Sequence, residues 1–176
     1  HDVPKERVFA LHAHLGITRG VVIQPSLYGT DHRALLNFLA TTGGRYRGVA
    51  SADGLPDGES IDTWHAAGVR GIRLTLSHQR PMPPLDPIRE LADRIRPLGW
   101  HLDFHGDFAT DCRLDRLLEL GLPVVIDHMG RYVWQPEDPD GTDQMPFQAL
   151  LAARRHDNCW IKISCADRIS HDGAPF

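Results

Sequence analysis

Three polar residues and a glycine follow a short apolar segment in the second half of the chain. Residues 122–126 read Leu-Pro-Val-Val-Ile, which is typical of a strand buried on both faces. Asp127, His128, Gly130 and Arg131 come directly after this segment. Ligands of parallel α/β proteins bind at the carboxyl ends of the strands, so this change in polarity predicts a site. A buried histidine satisfied by Asp127 is the structural alternative.

Two earlier segments carry polar side chains on one face. Alternation over residues 69–76 places Arg73 and Thr75 opposite an apolar face, and alternation over residues 101–106 does the same for His105. A buried arginine needs an anionic partner. A neutral imidazole can bind a metal or form a hydrogen bond with a substrate. The pattern therefore predicts that these side chains point into a barrel interior or a site.

The apolar periodicity predicts a leading helix and then six strands separated by five helices. The predicted strands cover residues 20–26, 46–52, 69–76, 101–106, 122–126 and 160–164. The predicted helices cover residues 4–15, 32–42, 60–67, 86–98, 113–120 and 145–156. Strands that alternate with helices imply a parallel sheet with right-handed crossovers. Polar residues on the side away from the helices favour a closed barrel, and a complete (β/α)8 barrel needs two more strands. We therefore predict one partial TIM-barrel domain over residues 1–176.

Composition indicates an ordinary globular protein. The 176 residues are 41% hydrophobic and 24% charged, which is enough for one core. A net charge of −4 argues against nucleic acid and membrane surfaces as partners. The three cysteines are an odd number without zinc-site spacing, so we expect a reducing, cytoplasmic location. Because the chain begins with His1 and ends after a loop-like segment, we expect it to be a piece of a longer protein.

Several segments together resemble the amidohydrolase-2 family of TIM-barrel hydrolases, and within it the lactonases that act on pyrone dicarboxylates or sugar acids. The segments are Gln24–Asp31, Gly71–Arg73, Gly99–His101, Val125–Arg131 and Trp160–Arg168. The resemblance covers nearly the whole chain. It implies a hydrolase that opens a carboxylate-bearing lactone with activated water, in the breakdown of aromatic compounds or sugar acids.

The resemblance also implies roles for individual residues. The candidate substrate-binding residues are Arg73, Arg168, Ser26, Tyr28, Thr75 and Arg131. The candidate catalytic residues are His128 and His105. The family positions that contact the substrate correspond to Arg73, His128, Arg168 and Ser26. The other candidates are inferred from their positions relative to the predicted strands. Guanidinium groups suit carboxylates, and a histidine or arginine near the ring carbonyl can stabilise a developing oxyanion.

The sequence departs from the family pattern at three places. The family has a His-x-His pair on its first strand and an aspartate on its eighth strand that activates water. His12 and His14 have the first spacing but lie in the predicted helix over residues 4–15, and the sequence contains no segment like that of the eighth strand. We therefore expect the general base to lie outside this sequence. His105 stands where pyrone lactonases have a tyrosine, and metal-dependent relatives place a histidine ligand on this strand.

Alternative hypotheses follow from these departures. We expect no cofactor, but a divalent metal such as zinc or manganese could be bound in the intact enzyme by His105 and His128. The protein would then be a metal-dependent decarboxylase or amide hydrolase. A third hypothesis is a non-catalytic α/β module. The expected partner is a small carboxylate-bearing substrate, and a homo-oligomer would cover the two sheet edges that a partial barrel leaves open.

Overall fold

The structure is a computed structural model that describes residues 4–52, 56–76, 83–106, 114–131 and 142–168, without the side chains of residues 146 and 168. The strands are β1 (Gly20–Ile23), β2 (Tyr46–Ser51), β3 (Val69–Thr75), β4 (His101–His105), β5 (Val124–Ile126) and β6 (Cys159–Ile161). The α-helices are α1 (Lys5–His14), α2 (Arg33–Ala40), α3 (Gly58–Ala67), α4 (Leu85–Ile95), α5 (Leu114–Leu118) and α6 (Met145–Ala153). Short 3-10 helices cover Ser26–Tyr28, Arg96–Leu98, Asp127–Arg131 and Ala166–Arg168.

The six strands form one parallel sheet in the order β1-β2-β3-β4-β5-β6. Each strand therefore pairs with its neighbour in the sequence, and a helix crosses over between successive strands. This arrangement confirms the prediction of a parallel α/β sheet in sequential order. The register aligns Arg73 with Asp103 and Thr75 with His105, so chemically active side chains from β3 and β4 stand side by side.

The helices cover one face of the sheet with a continuous apolar core. Buried helix residues of this core are Leu35, Leu39, Ile61, Ile88, Leu91, Ile95, Leu117 and Leu150. The strand residues that meet them include Ile72, Leu102, Phe104, Val124 and Ile126, which are all fully buried. Burial of each such side chain contributes about 1.5–3 kcal/mol. The alternate residues of the same strands must therefore point to the opposite face, which we call the inner face.

Two predicted strands end three residues earlier than the sequence pattern indicated, whereas the other four end within one residue of the predicted position. The strand predicted over residues 20–26 ends at Ile23, although the Gln24 N–H still donates to the Val49 carbonyl at 2.9 Å. Pairing cannot continue at the next residue, because Pro25 has no N–H group to donate. The strand predicted over residues 160–164 ends at Ile161, although the Lys162 N–H still donates to the Ile126 carbonyl at 2.9 Å. The predicted helix over residues 86–98 becomes a 3-10 helix from Arg96 onward.

Close packing on the inner face explains one glycine. The imidazole of His101 on β4 lies over Gly71 on β3, where a Cβ atom would meet the ring at 2.4 Å. Glycine is therefore required at position 71 for this contact. Among the described residues, no helix has the length and apolar character needed to cross a membrane.

Candidate active site

A cluster of four charged residues lies on the inner face; we call it the charge network. It consists of Arg73, Asp103, Asp127 and Lys162. Arg73 donates from Nη2 to Asp127 and from Nε to Asp103 Oδ1, the latter at 3.4 Å. Lys162 Nζ lies 2.8 Å from Asp103 Oδ2 and 2.7 Å from Asp127 Oδ1. Each aspartate thus has both cations as partners.

The charge network contains two basic and two acidic side chains that pair with one another. Both carboxylates are fully buried, and isolated buried charges would be very unfavourable. Burial raises the pKa of Asp127, but the hydrogen bond from Lys162 and the charges of Arg73 and Lys162 outweigh burial, so the pKa is lowered overall. Asp127 is therefore an anion, and Arg73 and Lys162 are the cationic partners of both carboxyl groups.

The chain after β5 has an unusual backbone conformation. His128 has φ 53° and ψ 43°, Met129 has φ 53° and ψ 30°, and Arg131 has φ 46°. Left-handed conformations are rare for such residues and cost about 1–3 kcal/mol each, and they cluster at functional sites. The Met129 N–H donates to the Lys162 carbonyl at 3.0 Å, which ties the strained turn to the residue after β6. This turn directs His128 away from the strand direction.

The His128 ring is held on one side by a hydroxyl group. Its Nδ1 lies 2.8 Å from Ser164 Oγ, within hydrogen-bond distance. Its Nε2 has the Cys165 Sγ at 3.9 Å, a much weaker contact. The Nδ1 side is therefore engaged by the protein, and Nε2 is the nitrogen available to a ligand.

The His105 ring meets the His128 ring edge to face, with ring centroids 5.3 Å apart. Its Nδ1 is buried and has no hydrogen-bond partner within the described part of the chain. Burial lowers the pKa of His105, and the charge of Arg73 acts in the same direction. His105 therefore favours the neutral form, which donates one hydrogen bond from its protonated nitrogen and accepts one at the other nitrogen.

Two other candidates lie at the same end of the strands. Thr75 is the last residue of β3 and pairs in register with His105, and its buried Oγ1 has no partner among the described residues. Arg131 ends the strained turn and is half-buried, and its charge is close enough to lower the pKa of His105. In the described ranges, Arg131 makes no ion pair, whereas Arg73 is bound by two carboxylates.

The three remaining candidates follow the first and the last strand of the sheet. Ser26 and Tyr28 are exposed at the two ends of the short helix after β1. Tyr28 lines a groove of about 390 Å³ between α1 and α2, on the helix side of the sheet. Within the described part, neither residue makes a hydrogen bond or ion pair with the charge network. Arg168 ends the short helix after β6, and only its backbone is described. The substrate-binding roles of these three residues stay predictions.

Sequence reasoning did not assign functions to three residues of this site. Asp103 was visible as an alternating polar residue beside His105, and Lys162 and Ser164 alternate after the apolar start of β6. A buried aspartate next to a predicted buried arginine was the available signal for an ion pair. The contact of Lys162 with these aspartates could not be predicted, because the register between β5 and β6 is not encoded in either segment alone.

The described residues do not by themselves fit a divalent metal. Among them, no three His, Cys, Asp or Glu side chains converge on one position. Asp103 and Asp127 are already bound by cationic side chains, so His105 and His128 would be the only ligands. Zinc sites usually take at least three protein ligands. The expectation that no cofactor is needed stays a prediction.

Six parallel strands in sequential order, with histidines and charged residues at their carboxyl ends, define part of an α/β barrel with a candidate site on its inner face. The chain belongs to the Amidohydrolase family, whose pattern matches residues 2–176. This result confirms the predicted family and fold class.

Known relatives of the chain carry the names of lactone hydrolases. It is 36% identical over 175 residues to the 2-pyrone-4,6-dicarboxylate hydrolase of Comamonas testosteroni. This match covers 98% of the present chain and 56% of that protein. The chain is 33% identical over 183 residues to the 4-sulfomuconolactone hydrolase of Rhizobium radiobacter, covering 99% and 58%. A solved structure from Pseudomonas putida, provisionally named a 2-pyrone-4,6-dicarboxylic acid hydrolase, is 34% identical with a TM-score of 0.84, covering 99% of this chain and 63% of that one. The chain therefore spans less than two thirds of the length of these proteins.

Proposed function

We propose that the protein hydrolyses a lactone that carries one or more carboxylate groups. The observation that carries this proposal is the His105–His128 pair at the carboxyl ends of the strands, with Arg131 beside it and the charge network below. The names of the relatives support the same class of substrate. Hydrolysis by water and the identity of the lactone are parts of the proposal.

In the proposed complex, His128 contacts the ring carbonyl of the lactone. Water adds to the carbonyl carbon, the carbon–oxygen ester bond then breaks, and the ring oxygen takes a proton and becomes a hydroxyl group. A hydrogen bond from His128 Nε2 would stabilise the oxyanion that forms when water adds. The base that accepts the proton from water is expected outside the described residues, where the family resemblance places an aspartate.

The arginines are proposed to bind the carboxylates of the substrate. Arg131 is the strongest candidate, because it has no ion-pair partner in the described ranges and its charge is close enough to lower the pKa of His105. Arg168 is proposed as the second, from the family resemblance. A planar guanidinium can form two parallel hydrogen bonds with a carboxylate, which orients the ring as well as attracting it.

The charge network is proposed to support this site electrostatically. Two unpaired aspartates would repel an anionic substrate, whereas Arg73 and Lys162 compensate both charges. Arg73 could also contact a substrate carboxylate, as the resemblance implies, but it would have to share its guanidinium with Asp103 and Asp127. We therefore assign its main role to the network.

The experiment is a hydrolysis assay on the protein together with any chain encoded on either side of these residues. The substrates are 2-pyrone-4,6-dicarboxylate, 4-sulfomuconolactone and a neutral lactone of similar ring size. We expect turnover of an anionic lactone and much slower turnover of the neutral one. The matched variants are His128→Ala, which should lose activity, and His156→Ala, an exposed histidine that should retain it. Equal turnover of neutral and anionic lactones would contradict the proposed substrate class.

The metal-dependent alternative is tested on the same preparation. Elemental analysis before and after treatment with a chelator, with activity measured at each stage, separates the two hypotheses. Stoichiometric zinc or manganese whose removal abolishes turnover would favour a metal-dependent amidohydrolase, with His105 and His128 as candidate ligands.

A further inference from the structure

We infer that Ser164 is a positioning residue that sets the orientation and the proton position of the His128 imidazole. The inference deepens the proposed function, because it rests on His128 acting at the lactone carbonyl. It starts from the 2.8 Å contact between Ser164 Oγ and His128 Nδ1.

The segment after β5 is fixed to the segment after β6 by three consecutive contacts. The Lys162 N–H donates to the Ile126 carbonyl at 2.9 Å, and the Met129 N–H donates to the Lys162 carbonyl at 3.0 Å. Ser164, two residues farther along, then meets the ring of His128. The first two contacts fix the backbone on both sides of His128, and the third fixes the rotation of its side chain. A strained left-handed residue persists only when its surroundings determine it in this way.

The Ser164 contact also decides which ring nitrogen faces a ligand. A neutral imidazole carries one proton, and the hydroxyl of serine can either donate or accept. When Ser164 donates to Nδ1, the proton of the ring is on Nε2, where the Cys165 Sγ at 3.9 Å is only a weak competitor. A proton on Nε2 can be donated to a carbonyl oxygen and to the oxyanion that follows from it. We assign Ser164 as the donor in this contact, which keeps His128 in the tautomer that the proposed reaction needs.

The test uses Ser164→Ala, which removes the hydroxyl, and Ser164→Thr, which keeps it. Thr41→Ala, which removes an exposed hydroxyl at the end of α2, is the control. Nitrogen-15 NMR of the histidine rings, recorded at a pH where His128 is neutral, reports which nitrogen carries the proton. We expect the Nε2–H form in the wild type and in Ser164→Thr, and a mixture of tautomers in Ser164→Ala.

Kinetics on the same variants provide the second measurement. We expect Ser164→Ala to lower kcat about tenfold with little change in KM, because one hydrogen bond to the acting group is lost. Ser164→Thr should recover most of the loss, and Thr41→Ala should match the wild type. A wild-type ring protonated at Nδ1, or a tautomer unchanged by Ser164→Ala, would overturn the inference. If no variant and no wild-type preparation hydrolyses a lactone, the proposed function fails, and the NMR result alone decides the role of Ser164.

Discussion

The ammonium nitrogen of Lys162 lies 2.7 Å from Oδ1 of Asp127, whose carboxylate is fully buried. Lys162 follows β6 and Asp127 follows β5, so this ion pair joins the last two strands at the end that carries the candidate site. The same ammonium binds Asp103 on β4 at 2.8 Å. One side chain therefore links three strands electrostatically.

Replacement of Lys162 by methionine should destabilise the fold. Two buried carboxylates would lose a partner, and breaking a buried ion pair costs about 3–5 kcal/mol. We expect a value near the lower end, about 3 kcal/mol, because 36% of the lysine side chain is exposed and solvent can partly replace it. Urea unfolding of wild type and variant measures the difference.

The control for this experiment is Arg33→Met. Arg33 also binds an aspartate, Asp31, but 90% of its side chain is exposed. Solvent screens such surface pairs, so the unfolding midpoint should hardly change. The double variant Lys162→Met with Asp103→Asn should lose less stability than the two single variants added together, since removing one buried charge relieves the other. Equal losses of stability in Lys162→Met and Arg33→Met would show that the charge network contributes no more than an exposed ion pair.

A second prediction concerns pH. Burial, followed by the charges of Arg73, His128 and Arg131, lowers the pKa of His105 below its ordinary value of 6.5, although Asp127 acts in the opposite direction. Between the lowered pKa and 6.5, the unfolded chain binds a proton that the folded chain does not bind. The free energy of unfolding should therefore rise with pH across that interval and gain nothing further from this group above it.

Unfolding measured at several pH values between 5 and 7.5, roughly the range in which histidine titrates, checks this sign. His105→Gln should flatten part of the slope, and His156→Gln, at an exposed site, should leave it intact. The half-buried His101 also has a lowered pKa, so it should account for part of the slope that remains. A slope that is unchanged in His105→Gln would contradict the assignment.

The face of the sheet on which a side chain lies could be predicted from the sequence more fully than the contacts between side chains of different strands. Alternation along β3 and β4 placed Arg73 and His105 on one face, and the register aligns these strands as that pattern requires. Alternation works here because successive side chains of a strand point to opposite sides, whatever the rest of the fold does. The parallel order followed from the regular alternation of strands and helices.

The geometry of His128 could not be predicted in the same way. Within residues 127–131 the sequence offers Gly130 as the residue best suited to a left-handed backbone, yet His128 and Met129 adopt it as well. Their conformation is imposed by the contacts of Lys162 and Ser164, which lie more than 30 residues farther along the chain. Such contacts depend on tertiary packing, and no local pattern reports them.

A third prediction concerns Gly71. A Cβ atom at this position would meet the His101 ring at 2.4 Å, so Gly71→Ala should force the imidazole to move. Such overpacking costs about 1–3 kcal/mol. The control is Gly58→Ala at the start of α3, where a Cβ atom would meet nothing within 4 Å. Adding His101→Ala to Gly71→Ala should recover part of the loss in urea unfolding; no recovery would mean that the strain arises elsewhere.

The last prediction separates the two inner arginines by their partners. Arg131 has no ion pair in the described ranges, so Arg131→Met should weaken binding of a dicarboxylate lactone by about 2–5 kcal/mol, because a desolvated carboxylate loses its charged partner. Binding of a neutral lactone should change far less, and urea unfolding should be nearly unaffected. Arg73→Met should give the opposite pattern, since Asp103 and Asp127 would both lose a cation, so the free energy of unfolding should fall and the two substrates should be affected alike. Calorimetric titration with both lactones, beside unfolding of both variants, measures all four quantities. A selective loss of dicarboxylate binding in Arg73→Met, with unchanged stability, would return the carboxylate contact to Arg73 and make Arg131 dispensable.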